Sequence, residues 1–268
     1  MAKALESNGA TVFIIGRRQN KLDEAAQNEA KHGRIIPIQG DVTSKADLSR
    51  ITSTIAAHPL SGGVVNLVVA NVGVQGPVPP KSLDAGSPDR PSLHEAYEAL
   101  WAPERSEFDA VFSSNVSGTY FTAVAFLPLL HAGNEAAGGK AKRASSQIII
   151  TGSAASFLRD ASGMFAYGAS KAATDNLVRR LATTLVPYRI RVNSILPGIF
   201  PSEVTEDLVQ FFDANPEAAK AMLPLGRYGT IEDMAGLILW LASRAGGYVS
   251  GSLVLSDGGV LSLRPASY

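Results

Sequence analysis

The chain has 268 residues, 46% hydrophobic and 18% charged, which is ample apolar material for a sheet buried on both faces. Its 24 basic and 24 acidic side chains cancel, which removes the positive footprint expected of a nucleic-acid binder or of a protein held on anionic lipid. The absence of cysteine excludes disulfides, thiolate zinc sites and cysteine nucleophiles, and His32, His58, His94 and His131 are too scattered to suggest a metal cluster.

Residues 1–10 read as the tail of a helix. Short β-branched runs then alternate with longer amphipathic segments, the rhythm of a parallel α/β sheet. Strands are expected over residues 11–15, 34–39, 66–70, 147–151, 191–195 and 252–255. Between the first two, Asn20 is placed to cap a helix that runs to His32 and ends at Gly33, and Ser44 with Asp47 three residues later resembles a capping box for a helix reaching about His58.

Residues 76–103, rich in Pro, Ser, Gly and Asp, form a long irregular insertion with one short helix expected near residues 93–100. A helix over about residues 104–130 passes through Asn115, and residues 133–146 make a polar connection. The helix after Tyr167 is stopped near Val186 by Pro187. No repeat is visible, and residues 1–268 are read as one domain.

The most apolar stretches, residues 122–130 and 237–241, fall short of the roughly 20 residues needed to span a bilayer. The N-terminus lacks a long apolar core followed by a cleavage site. No membrane segment is expected, and the cytoplasm is the default location.

The chemistry centres on Tyr167 and Lys171, four apart in Tyr-Gly-Ala-Ser-Lys. A phenol ionises near pH 10. An ammonium one helical turn away lies on the same face and is expected to lower that value by roughly 1–3 units, making Tyr167 a usable acid or base. Ser153, fourteen residues earlier at the end of a strand, is placed to hydrogen-bond a substrate oxygen. Strand ends of this kind are where open α/β sheets put ligands.

With Asn115 in Ser-Ser-Asn-Val-Ser-Gly, these residues resemble the short-chain dehydrogenase/reductase superfamily, and the likeness runs from Ala4 to Gly259. It implies a Rossmann-type doubly wound sheet, a nicotinamide cofactor and a catalytic tetrad of Asn115, Ser153, Tyr167 and Lys171. In such enzymes the tyrosine delivers a proton while the nicotinamide delivers a hydride. The lysine also holds the ribose hydroxyls, and the asparagine keeps a water in a proton relay. The plain alternative for Asn115 is a helix-bending residue bonded to its own backbone.

Several further segments match. Ala70-Asn71-Val72-Gly73 resembles the family's Asn-Asn-Ala-Gly, with Asn71 and Gly73 retained near the cofactor, or else it is a strand-end turn. Asp41 and Val42 look like the adenine-contacting pair, although Asp41 is equally a residue that opens a helix. Pro197, Gly198 and Ser202 resemble the segment lining the nicotinamide, and Asp257-Gly258-Gly259 the closing motif. Residues 201–222 correspond to a substrate lid, whose Leu208, Phe211 and Phe212 hint at an apolar substrate or simply pack a helix.

Where an acidic residue would bind the 2′-hydroxyl of NAD, this chain has Gly16 followed by Arg17 and Arg18, which favours NADP(H) over NAD(H); an ordinary exposed arginine pair is the alternative. The resemblance also implies a homo-tetramer or homo-dimer that pairs the helices carrying Asn115 and Tyr167 across a twofold axis. Small molecules are the expected partners.

The family's first strand, glycine-rich turn and helix start are missing from residues 1–10. That strand belongs at the sheet centre, between residues 11–15 and 66–70, so a gap is expected there, along with loss of the pyrophosphate cradle. The intact tetrad favours an incomplete product of a gene for a working reductase over a natural shortened form that no longer turns over. The rival function is a non-catalytic module of the same fold that binds protein partners. An epimerase or dehydratase needs a larger C-terminal domain than the residues after Ser256 provide.

Overall fold

The β-branched runs become strands, all paired in parallel, but they form two sheets. The computed structural model describes residues 1–83, 87–138, 144–161 and 164–267. In it β1 (Val12–Gly16) pairs with β2 (Ile35–Gln39), while β3 (Leu67–Ala70), β4 (Gln147–Thr151), β5 (Arg191–Pro197) and β6 (Leu253–Ser256) form a second sheet in that order. Register sets Val12 opposite Ile35, Leu67 opposite Gln147, Ile148 opposite Val192 and Ile195 opposite Val254. Among the described residues no strand joins β1 to β3, so the facing edges of the two sheets carry no ladder.

Around the sheets lie α1 (Ala2–Ser7), α2 (Gln19–Glu29), α3 (Lys45–Ala57), α4 (Leu93–Trp101), α5 (Arg105–Phe112), α6 (Thr119–Ala125), α7 (Leu127–Ala136), α8 (Phe165–Thr184), α9 (Glu206–Ala214), α10 (Pro216–Met222) and α11 (Ile231–Ala242). Alternation along β4 sorts its side chains to two cores. Ile148 and Ile150 join Ile51, Ile55, Ala123, Leu130 and Val178 on one face, and Phe13, Ile15 and Ile38 of the small sheet pack into the same cluster. Ile149 points the other way, to Ile195, Ile238 and Leu241, where Met1, Ala4 and Leu5 also pack. Helix packing therefore unites what strand pairing leaves separate.

Helix α1 is fixed by a buried carboxylate. Glu6 accepts hydrogen bonds from the backbone N–H groups of Lys31, His32 and Arg34 at 2.8, 2.6 and 3.2 Å. Burial alone would push this carboxyl up, but the three donors outweigh it and its pKa lies below the ordinary glutamate value.

Several boundaries differ from the sequence expectation. Arg18, not Asn20, is the N-cap of α2, which ends at Glu29. Ser44 does cap α3, accepting from Asp47 N at 3.2 Å, but Asp47 returns its carboxylate to Asp41 N and not to Ser44. Ser92 and Glu95 form a full capping box on α4 inside the irregular insertion. The helix expected over residues 104–130 is interrupted by a π-helical turn at Ser113–Gly118, resumes as α6, and restarts after Phe126 as α7, which has a proline in its first turn.

The helical run Arg105–Ala136 is long and apolar enough, by length and composition, to cross a membrane. Its Val111, Ala123, Phe126 and Leu130 are buried in this fold.

Candidate active site

The expected tetrad converges at the C-terminal ends of β3 and β4. Ser153 follows β4 by two residues, is nearly buried at 9% exposure, and caps a 3-10 turn, Ala154–Ser156, through its Oγ, which accepts from Ala155 N at 3.2 Å. Tyr167 and Lys171 lie on the same face of the first turns of α8. The Lys171 ammonium stands 5.6 Å from the Tyr167 ring centroid and donates to the Thr151 carbonyl at 2.8 Å.

The electrostatics differ from the expected ones in sign. Burial raises the Tyr167 pKa, and the group that partly offsets this is the Ser153 hydroxyl, which hydrogen-bonds the phenol. The expected net lowering by Lys171 is not found, because desolvation of the ring dominates. Lys171 is itself only 4% exposed. Burial lowers its pKa to about 8, against an upward pull from Asp175.

Asn115 is fully buried in the π-helical turn, a feature often found at functional sites. Its Oδ1 accepts from Val74 N at 2.8 Å, and its Nδ2 donates to Val74 O at 3.0 Å and to Ser170 Oγ at 2.9 Å. It thus ties the segment after β3 to α8, and it is not bonded to its own helix backbone.

Gly73 lies against the same groups: a Cβ there would lie 3.3 Å from Lys171 Nζ and 3.5 Å from Asn115 Oδ1, so a side chain would press on the lysine end. Asn71 braces the same strand ends, its Oδ1 accepting from Thr151 Oγ1 at 2.8 Å. Pro197 ends β5. At Gly198 a Cβ would sit 2.7 Å from Asp257 Cα, so the chain passes there only without a side chain. Asp257 in turn accepts from Gly259 N and Leu261 N at 2.9 and 2.8 Å, closing the turn after β6.

A second group sits at the end of the small sheet. Asp41 accepts from Thr43 N at 2.8 Å and Thr43 Oγ1 at 2.7 Å; these bonds, and then the charge of Arg17, hold its carboxyl below the usual aspartate value. Its observed work is to shape the start of α3, and the neighbouring Val42 is buried. The Arg17 carbonyl accepts from Gln39 Nε2 at 2.9 Å. Arg18 is engaged, donating to both carboxylate oxygens of Glu203 at 3.0 Å.

Glu203 belongs to the segment expected as a lid, which folds as α9 and α10. Ser202 Oγ hydrogen-bonds Thr205 Oγ1 at 2.9 Å. Phe212, expected as a candidate substrate contact, is instead in the lid's own small core with Ala219 and Leu223, while Leu208 and Phe211 remain partly exposed. Thr151 and Ser170 escaped the sequence reading: one acts through its carbonyl, and the other only through Asn115.

The family model described as "Enoyl-(Acyl carrier protein) reductase" matches residues 1–261. The chain belongs to the short-chain dehydrogenase/reductase family. It is 48% identical over 270 residues to the short-chain dehydrogenase/reductase PhomF′ of Diaporthe leptostromiformis, covering 100% of this chain and 88% of that protein. It is 31% identical over 259 residues to the "Rhamnolipids biosynthesis 3-oxoacyl-[acyl-carrier-protein] reductase" of Pseudomonas aeruginosa, covering 97% and 90%. The solved "Pseudomonas aeruginosa RhlG/NADP active-site complex" superposes with a TM-score of 0.77 at 30% identity, again covering 97% of this chain and 90% of that one. This short-chain dehydrogenase/reductase is therefore an NAD(P)-dependent oxidoreductase with a Rossmann-type sheet.

Groups of the kind that could hold a dinucleotide lie at both ends: the buried Lys171 ammonium at one, and the Arg17 and Arg18 cations, the second paired with Glu203, at the other. No described strand stands between β1 and β3 to carry a turn toward the middle.

Proposed function

We propose that this reductase moves hydride between NADP(H) and a carbonyl or secondary alcohol, with Tyr167 as general acid/base. The observation that carries the reading is the cluster in which a half-buried phenol bonds the Ser153 hydroxyl while a buried ammonium stands over its ring. Bound nicotinamide supplies or accepts the hydride. Ser153 orients the substrate oxygen, and Tyr167 transfers a proton between its own oxygen and that atom.

Lys171 spends one of its three N–H groups on Thr151. The others are available for ribose hydroxyls, and its charge favours the phenolate as the proton leaves. Asn115 fixes α8 against the strand ends and contributes to the proton path out of the site. Asn71, Gly73, Pro197, Gly198 and Ser202 border the nicotinamide, and Asp41 and Val42 the adenine. Arg17 and Arg18 receive the 2′-phosphate, which favours NADP(H) over NAD(H), and the name of the solved NADP complex agrees with that choice. The 3-oxoacyl relative supports a carbonyl as the group reduced.

Two copies pair through the helices carrying Asn115 and Tyr167, where Phe108, Phe112, Tyr120 and Phe165 are each at least 37% exposed. One observation favours a second reading, a non-catalytic module of the same fold: the unbridged sheets leave the middle of the dinucleotide without a described cradle. NADPH and NADH binding by fluorescence, followed by assay against a carbonyl panel, separates the two. The proposal expects tighter NADPH binding and a turnover that Tyr167→Phe reduces at least about 10²-fold. Cofactor binding with no reduction of any carbonyl would leave only the second reading.

A further inference from the structure

One buried acid in the neighbourhood has no part in the proton transfer just described. Asp175 lies one turn beyond Lys171 on α8 and is equally buried, at 4% exposure. Its Oδ1 has no hydrogen-bond partner among the described residues. That oxygen lies against the end of β4: a Cβ built on Gly152 would be 3.2 Å from it. Asp175 thus sits behind the three residues Thr151, Gly152 and Ser153, which receive the lysine and supply the catalytic hydroxyl. Burial raises the Asp175 pKa, and the Ser156 hydroxyl, which bonds Ser153 O at 2.9 Å, is close enough to pull against that rise.

A buried carboxylate without a full set of donors is destabilising unless a charge compensates it. Two charges act on Asp175, the Arg179 guanidinium and the Lys171 ammonium, both on its own helix. Arg179 is solvent-exposed, one turn further on. Lys171, equally buried one turn before Asp175, donates to the carbonyl of Thr151, the residue before the Gly152 that Asp175 lies against, and no other charge is found supporting it there, Tyr167 being the remaining titratable neighbour. Facing them from the other packed elements are Ser153, Ser156, Asn115 and Gly73, none of which is charged.

We propose that Asp175 is a positioning residue of this site, whose carboxylate keeps the Lys171 ammonium charged beside Tyr167 without touching substrate. This rests on the acid/base reading of Tyr167 and Lys171 and adds the group that sets the lysine's charge.

The test is Asp175→Asn, which keeps the shape and removes the charge. The lysine is titrated by NMR on protein labelled at the lysine ε-carbons, with Lys171→Arg assigning the signal, and turnover is followed against pH. Loss of the carboxylate disfavours the ammonium, so the Lys171 titration should move to lower pH by about one unit, the lower end of the effect of a nearby opposite charge. The alkaline limb of the rate profile should move with it, and Asp175→Glu should restore most of the shift.

An unmoved lysine titration overturns the proposal, even if the rate falls uniformly at every pH, since that is what a merely structural role would do. Because the NMR measurement needs no turnover, failure of the oxidoreductase reading would appear as a silent assay beside an intact lysine shift. Should the asparagine variant not fold, the wild-type aspartate carboxyl carbons decide: the Asp175 signal must step where Lys171 titrates, and a flat signal overturns the proposal.

Discussion

Lys171 holds its charge against its surroundings. Burial takes its pKa from 10.5 to about 8, which corresponds to about 3 kcal/mol withheld from folding at neutral pH. Between those two values the unfolded chain binds more protons than the folded one, so this contribution makes stability rise as pH climbs from about 8 toward 10.5. Over the same interval the ammonium that assists Tyr167 disappears. Lys171→Met should therefore lower turnover at least about 10²-fold and, by removing the titrating group, flatten the rise in stability between about pH 8 and 10.5 in denaturant titrations, while at pH 7 the relief from burying an ammonium is offset by the loss of the charge that faces Asp175. The Thr151 carbonyl also loses its donor in that variant. A variant whose stability climbs over that pH interval as steeply as the parent's would refute this account. The spacing of Tyr167 and Lys171 was readable because i and i+4 share a helix face. The sign of the tyrosine's pKa displacement was not, since it depends on how much of the ring is covered, which only the packed structure determines.

At the scale of elements, the Arg18–Glu203 pair links the turn before α2 to the segment leading into α9, across 185 residues of sequence. Both side chains are well exposed, so the pair contributes only about 0.2–1 kcal/mol. A 2′-phosphate must nonetheless displace Glu203 to gain Arg18. Glu203→Gln should strengthen NADPH binding by up to about fivefold and leave NADH binding nearly unchanged, as read by cofactor fluorescence; equal effects on both cofactors would show that Arg18 does not meet the phosphate. The strands were legible to within two residues at each end because β-branched runs such as Gln147–Thr151 and Arg191–Pro197 have few other uses. The π-helical turn that carries Asn115 was not legible, because its shifted hydrogen bonds leave no mark in composition. Phe212 was ambiguous for a related reason: an aromatic at helical spacing reads alike whether it faces a substrate or its own lid.

For the molecule as a whole, the consequence of two sheets is uneven stability. An isolated pair of strands is marginal in water, and β1–β2 depends on Phe13, Ile15 and Ile38 packing into the shared core and on Glu6 holding the chain ahead of β2. By contrast, β4 and β5 are central strands whose residues Ile148, Ile149, Ile150, Val192 and Ile195 are entirely buried. Amide hydrogen exchange should be at least about tenfold faster across β1–β2 than across β4–β5, reflecting local opening well short of global unfolding. The two groups proposed to hold the dinucleotide lie on different sheets, Arg17 and Asp41 beside β1–β2, Lys171 and Gly198 beside the larger sheet. A ligand that binds only when both are in place stabilises the less stable partner most. Saturating NADPH should therefore slow exchange in β1 and β2 more than in β4 and β5. Protection gained equally everywhere, or only around β4 and β5, would show that the cofactor does not bridge the sheets.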